Sequence, residues 1–204
     1  MHSKTSSPIE VLRKPVSRLT AALIVVVAVF TVPMIFETNL GEFMELSGFG
    51  LLIVAALGRI WCSIYISGRK DRILCQEGPY SLTRNPLYFF SFLGVIGFSA
   101  ALQSVAVLVF SSVFYLIYYH FVIRSEEIRL QELFGAPYLA YSSVTPRFFP
   151  AFRTFPCIEQ YTINPRIMER ALREVIWFLL AILVLEILEW LHHNGYLILA
   201  QTPF

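Results

Sequence analysis

No lysine or arginine interrupts four of the five long apolar stretches in this sequence. The stretches are residues 19–36, 48–66, 87–102, 105–123 and 175–191, and only the second holds a cation, Arg59. A helix crosses the ~30 Å hydrocarbon layer with roughly 20 apolar residues. Residues 87–102 rise only about 24 Å as a helix, but Pro86 suits a first helical turn in the headgroup layer. Gln103 and Ser104 join this stretch to 105–123, which predicts a tight helical hairpin. The expectation is an all-α polytopic membrane protein with about five transmembrane helices, forming a single domain over residues 1–204.

The remaining cations give the orientation. Lys4, Arg13, Lys14 and Arg18 precede the first stretch. Arg69, Lys70, Arg72 and Arg84 lie between the second and third. Arg124, Arg129, Arg147, Arg153, Arg166, Arg170 and Arg173 lie between the fourth and fifth. The 37–46 turn, the Gln103-Ser104 turn and the tail after Leu191 have none. Cytoplasmic loops collect Lys and Arg, so the N-terminus is expected in the cytoplasm and the C-terminus on the opposite side. A bacterial inner membrane is favoured over the endoplasmic reticulum. The first stretch is longer than a signal-peptide core and lacks a small-residue cleavage site, so it is read as a mature helix. Charged residues make up 15% of the 204 positions, against about a quarter in soluble domains. With Phe occurring 18 times, disorder is excluded for the bulk of the chain.

The polar residues gather in two inner loops. One, residues 67–86, reads SGRKDRILCQEGPYSLTRNP. The other runs from Arg124 to Arg173. Its opening, Ser125-Glu126-Glu127, suits either a fresh helix cap or a helix continuing out of the membrane to Phe134 and stopped by Gly135. Pro137, Pro146, Pro150 and Pro156 exclude a long helix after it. The aromatic residues there predict a segment on the membrane surface or folded back over the hairpin. Asn164-Pro165 restarts a helix, expected to lie partly in the interface before entering the bilayer. Cys62, Cys75 and Cys157 have no metal-ligand spacing and are read as reduced thiols. No metal site is expected. There is no P-loop, no GxSxG and no dinucleotide-binding glycine pattern, and no nucleic-acid partner is expected. Paired repeats with broken helices, the mark of many transporters, are also absent, although a small transporter or a non-catalytic scaffold remains the reading from another class.

GPYSLTRNPLY, residues 78–88, resembles the G-x-Y-x-x-x-R-[H/N]-P-x-Y signature of the isoprenylcysteine carboxyl methyltransferase and phospholipid methyltransferase superfamily. EEIRLQELFGAPYLAYSSVTPRFFP, residues 126–150, resembles its second signature, which begins E-E-x-x-L-x-x-x-F-G-x-x-Y-x-x-Y. Gly58, Arg59 and Trp61 resemble the helix leading into the first. The likeness spans roughly residues 50–150. It implies a membrane enzyme using S-adenosylmethionine, with a cytoplasmic-face cofactor pocket formed by two loops around the hairpin and a lipid-like or prenylated acceptor. By the resemblance, Gly78, Tyr80, Arg84, Asn85, Pro86 and Tyr88 form one wall of that pocket and Glu126 and Glu127 the other, with Tyr138 and Tyr141 closing it. Glu127 and Arg124 are the expected catalytic residues, and Arg59 and Arg147 the expected acceptor-binding residues.

Carboxyl-methylating members carry His where this chain has Asn85, and an Arg about one turn before the first Glu. Here that stretch is His120-Phe121-Val122-Ile123. An amine or thiol acceptor needs deprotonation, for which His120 is the candidate base. A phosphatidylethanolamine-type amine therefore stands beside a carboxylate as acceptor. Each residue also has a plainer reading. The Glu pair suits a solvated helix start, Arg84 a snorkelling anchor, Tyr80 and Tyr88 an interfacial belt, and His120 simple packing. Glu186 and Glu189, in the outer half of the last stretch, are read as helix–helix or oligomer contacts, with the oligomeric state left open.

Overall fold

The computed structural model describes residues 38–69, 71–151 and 165–194. They form six helices: α1 Asn39–Ile66, α2 Pro79–Leu82, α3 Pro86–Ala101, α4 Val105–Phe134, α5 Ala136–Val144 and α6 Pro165–His193. Among the described residues there is no strand. The expected first span, residues 19–36, and the N-terminal cations lie outside them, as do Cys157 and Asn164.

α1 begins at Asn39, well before the apolar stretch at 48–66, and so replaces most of the expected 37–46 turn. Thr38 caps it, its Oγ1 accepting from Gly41 N at 3.1 Å, and Glu42 stands in the first turn. A carboxylate there is favoured by the helix dipole. α4 is one helix from Val105 to Phe134, which settles the continuous alternative at Ser125. α6 likewise runs through the predicted interfacial segment and the last apolar stretch without a break.

α1 and α3 pack with their backbones in contact. A Cβ added at Gly48 would sit 2.6 Å from Gly97 O and from Ala101 N; one at Gly97 would sit 2.7 Å from Gly48 O. Small residues permit such an approach between apolar helices. Gly58 meets the Phe90 ring further along, so the helices run antiparallel. α6 lies on this pair: Phe178 faces Gly94, and Leu185 joins Leu52 and Ala101 in one cluster. α3 and α4 form the expected hairpin, tied by Ser99 Oγ and Ser111 Oγ at 2.7 Å and by Tyr115 Oη donating to Tyr88 O at 2.9 Å.

α1 and α4 are long and apolar enough to cross a bilayer, and α3 is a shorter apolar helix. Much of their apolar surface faces outward: Leu57 on α1 is 62% exposed, and Phe110 and Ile117 on α4 are 61% and 59% exposed. Soluble monomers rarely expose contiguous apolar faces of this kind. Lipid suits them.

Candidate active site

The C-terminal end of α1, the N-terminal end of α3 and the C-terminal half of α4 meet at one end of the bundle. Both signature segments lie there. Gly78 turns the first with φ +55, a conformation open to glycine at little cost. A Cβ at that position would fall 2.4 Å from the Tyr65 ring. Pro79 then starts α2, and Thr83 carries the chain in extended form to Arg84, Asn85 and the start of α3.

The second segment closes over the first. Gly135 ends α4, α5 follows, and residues 145–151 fold back along residues 82–85. Arg84 N donates to Pro146 O at 2.9 Å, and Ala151 N to Leu82 O at 2.9 Å. Thr83 Oγ1 donates to Phe148 O at 3.0 Å. Asn85 stands at the cap of α3 but makes no side-chain cap bond. Its Nδ2 donates to Arg147 O at 2.9 Å instead. Phe148 packs its ring against Phe89 and Phe92, and Tyr141 Oη donates to Tyr80 O at 2.6 Å.

Two carboxylates organise the charges. Glu127 Oε2 accepts from Arg147 Nε at 2.9 Å, and its Oε1 lies 3.4 Å from Arg84 Nη1. Arg147 also reaches His120, with Nη1 3.4 Å from the ring Nδ1. Glu126 Oε2 accepts from Tyr88 Oη at 2.6 Å, and its Oε1 lies 3.6 Å from Arg129. Arg129 in turn donates to Asp71 Oδ1 at 2.9 Å.

Between these groups lies a cavity of about 160 Å3. Tyr80, Arg84, Asn85, Pro86 and Tyr88 line it from the first segment, Glu126 from α4, and Tyr138 and Tyr141 from α5. Burial pushes the Tyr138 phenol up to about 12, with the charge of Glu127 adding and Arg84 opposing. Burial likewise raises Tyr80 and Tyr141 well above the ordinary phenol range. All three therefore stay neutral near pH 7 and act as hydrogen-bonding groups, not as bases.

The chain matches the phospholipid methyltransferase family model over residues 16–137, more than half its length. It belongs to the phospholipid methyltransferase family. The chain is also 35% identical over 144 residues to the cobalt-zinc-cadmium resistance protein CzcN of Cupriavidus metallidurans, covering 71% of this chain and 66% of that protein. The nickel-cobalt-cadmium resistance protein NccN of Alcaligenes xylosoxydans xylosoxydans is 35% identical over 144 residues, covering 71% and 67%. The aligned stretch thus spans about two thirds of the length of these relatives. No solved structure matches the chain.

For this phospholipid methyltransferase family member, the sequence-predicted residues divide by position. Gly78 shapes the first segment without lining the cavity. Glu127 stands behind Arg84 and Tyr138. Arg147 reaches the site through Glu127, and His120 through Arg147. Arg124 is exposed on α4 and does not line the cavity. Arg59 lies inside the bundle, donating to Ser91 Oγ on α3 with its guanidinium 5.9 Å from the centre of the Phe178 ring.

Sequence reasoning missed one wall, formed by Asp71, Ile73, Leu74 and Cys75. It also missed Leu130 and Phe134, which lie four and eight residues beyond Glu126 and so share its helix face. That spacing was the available signal for them.

The cavity edge carries buried polar groups that a polar ligand would satisfy. Arg84 Nε and Tyr138 Oη are buried without a hydrogen-bond partner, and Glu127 Oε1 is met by Arg84 Nη1 at the long distance of 3.4 Å. Native proteins rarely leave such atoms unsatisfied. Among the described residues no group of three or more His, Cys, Asp or Glu is arranged to hold a metal ion.

Proposed function

We propose that the chain is an S-adenosylmethionine-dependent methyltransferase of the membrane, with five spans and its active site at the cytoplasmic face. The observation that carries this reading is the Glu127 network. It joins the two signature segments around a cavity whose edge holds two buried polar atoms without a hydrogen-bond partner, Arg84 Nε and Tyr138 Oη. The cofactor supplies an activated methyl group on a sulfonium. The chain's residues bind, orient and dry the site. Arg84 is the group to meet the cofactor's carboxylate. Tyr138 Oη offers a neutral donor beside it. Glu126 and the ring of Tyr88 give a negative and aromatic lining suited to a sulfonium. The fold-back of residues 145–151 covers the first segment and excludes water.

The acceptor is lipidic or partitions into the membrane. Asp71 and Glu126 line the cavity with Arg84 as the facing cation, while Arg124 and Arg147 do not line it. That balance favours an amine acceptor, as in phosphatidylethanolamine, over a carboxylate. The names of the two relatives add a setting, growth with cobalt, nickel, zinc or cadmium, in which to look for the product.

Calorimetry of S-adenosylmethionine binding to the detergent-solubilised protein tests the first step, with Glu127→Ala as the comparison. Absence of binding by the intact protein overturns the reading. Labelled methyl transfer into a total lipid extract tests the second. Label in ethanolamine-type lipid supports the amine acceptor; label released by mild base as volatile methanol, from a cleaved methyl ester, points to the carboxylate.

A further inference from the structure

The cavity has one wall built differently from the rest. α2 and the start of α3 are pinned by the backbone bonds from residues 146–151, and Tyr141 fixes α5 to Tyr80. The remaining wall is residues 71–77, which contribute Asp71, Ile73, Leu74 and Cys75. Asp71 ties this wall to α4 through Arg129, and Arg69 and Glu77 pair across its base at 3.1 Å. Asp71 holds φ +63, uncommon for a side-chain-bearing residue though least so for Asp and Asn.

At about 160 Å3 the cavity is smaller than the ~300–1,000 Å3 of ordinary small-molecule sites. A nucleoside-sized ligand therefore enters only when a wall moves. We propose that residues 71–77 form a lid over the cavity, latched shut by the Asp71–Arg129 ion pair, and that Arg129 acts as a positioning residue coupling lid closure to Glu126. Arg129 holds Asp71 on the lid and Glu126 on the cavity wall with the same guanidinium. Closing the lid thus sets the orientation of the carboxylate that also accepts from Tyr88. Opening releases Arg129 from Asp71 and widens the site from the side of Cys75.

The consequence for cofactor retention rests on the proposed function; the latch itself does not. Cys75, on the inner side of the lid, is 9% exposed and donates its Sγ–H to Tyr65 O at 3.0 Å, so its modification by a maleimide reports lid opening with no ligand present. Peptide mass spectrometry separates its signal from those of Cys62 and Cys157. Asp71→Asn keeps the shape and the tolerance of positive φ while removing the charge. Exposed ion pairs of this kind shift an equilibrium by about two- to fivefold, so Asp71→Asn and Arg129→Gln are each expected to speed Cys75 labelling by about that factor. The double variant is expected to add nothing beyond Arg129→Gln, because both changes remove the same Asp71–Arg129 pair. Raised salt is expected to speed the wild type more than Asp71→Asn, which keeps the Arg69–Glu77 pair. Unchanged labelling in Asp71→Asn, or effects that add in the double variant, overturns the latch. Faster labelling together with faster S-adenosylmethionine release supports both readings. Faster labelling in a protein that binds no S-adenosylmethionine keeps the latch and removes the cofactor.

Discussion

Arg147 Nε donates to Glu127 Oε2 at 2.9 Å across 20 residues of chain, linking the fold-back segment to the helix it left. Arg84 approaches the same carboxylate from the other signature. Glu127→Gln keeps the shape and removes the charge both arginines share. Hydrogen bonds to charged groups contribute about 1.5–3 kcal/mol, so S-adenosylmethionine affinity is expected to fall by roughly 10- to 100-fold. Calorimetry on the solubilised variant reads this directly. Unchanged affinity would remove Glu127 from the binding machinery.

The α1–α3 contact predicts a sharp difference between two glycines of one helix. An added methyl at Gly48 meets backbone atoms of α3, which cannot rotate away. Overpacking of this kind costs about 1–3 kcal/mol, so Gly48→Ala is expected to lower the thermal midpoint in detergent. Gly50 has nothing within 4 Å of an added Cβ. Gly50→Ala is expected to be neutral or mildly stabilising through helix propensity. Equal midpoints for the two variants would contradict the close approach.

How much of this was readable beforehand depends on what kind of contact is involved. Apolar length and the hairpin turn located α3, α4 and the core of α1, because burial in lipid leaves a compositional trace. The polar first turns of α1 left none, since Thr38 and Glu42 stabilise a helix without making it apolar. Residues 78–88 and 126–141 carried the cavity lining in their signatures. The bonds from residues 145–151 to 82–85 were not readable, because most of their donors and acceptors are main-chain atoms that every residue possesses. At Arg124 the helix period was the legible signal: two residues before Glu126, it is turned about 200° around the helix and stands exposed.

The buried phenol of Tyr138 gives a pH dependence of known sign. Its pKa is raised from 10.0 to about 12 in the folded protein. Below pH 10 the phenol is neutral in both states and contributes no slope. Between about 10 and 12 the unfolded chain loses the proton while the folded one keeps it, so stability falls as pH rises. Tyr80 and Tyr141 act in the same direction. Thermal midpoints measured from pH 9 to 12 are expected to fall less steeply in Tyr138→Phe than in the wild type. A parallel decline would assign the alkaline loss to other groups.

The two ends of the bundle differ in a way that fixes an experiment on orientation. The cavity, Arg84, Arg129 and Arg147 lie where α1 ends and α3 begins. α6 packs its Leu185 near Leu52 and Ala101, toward the opposite end, and Asn194 lies beyond it, exposed. Cations are retained on the cytoplasmic side, so the cavity end is expected inside and Asn194 outside. Glu132, exposed near the end of α4, serves as the inner reporter. In a Cys75→Ser, Cys157→Ser background, Asn194→Cys is expected to react with a membrane-impermeant maleimide in intact cells. Glu132→Cys is expected to react only after the membrane is opened. The reverse pattern would invert the topology, and labelling of both in intact cells would contradict the placement of the two helix ends on opposite sides.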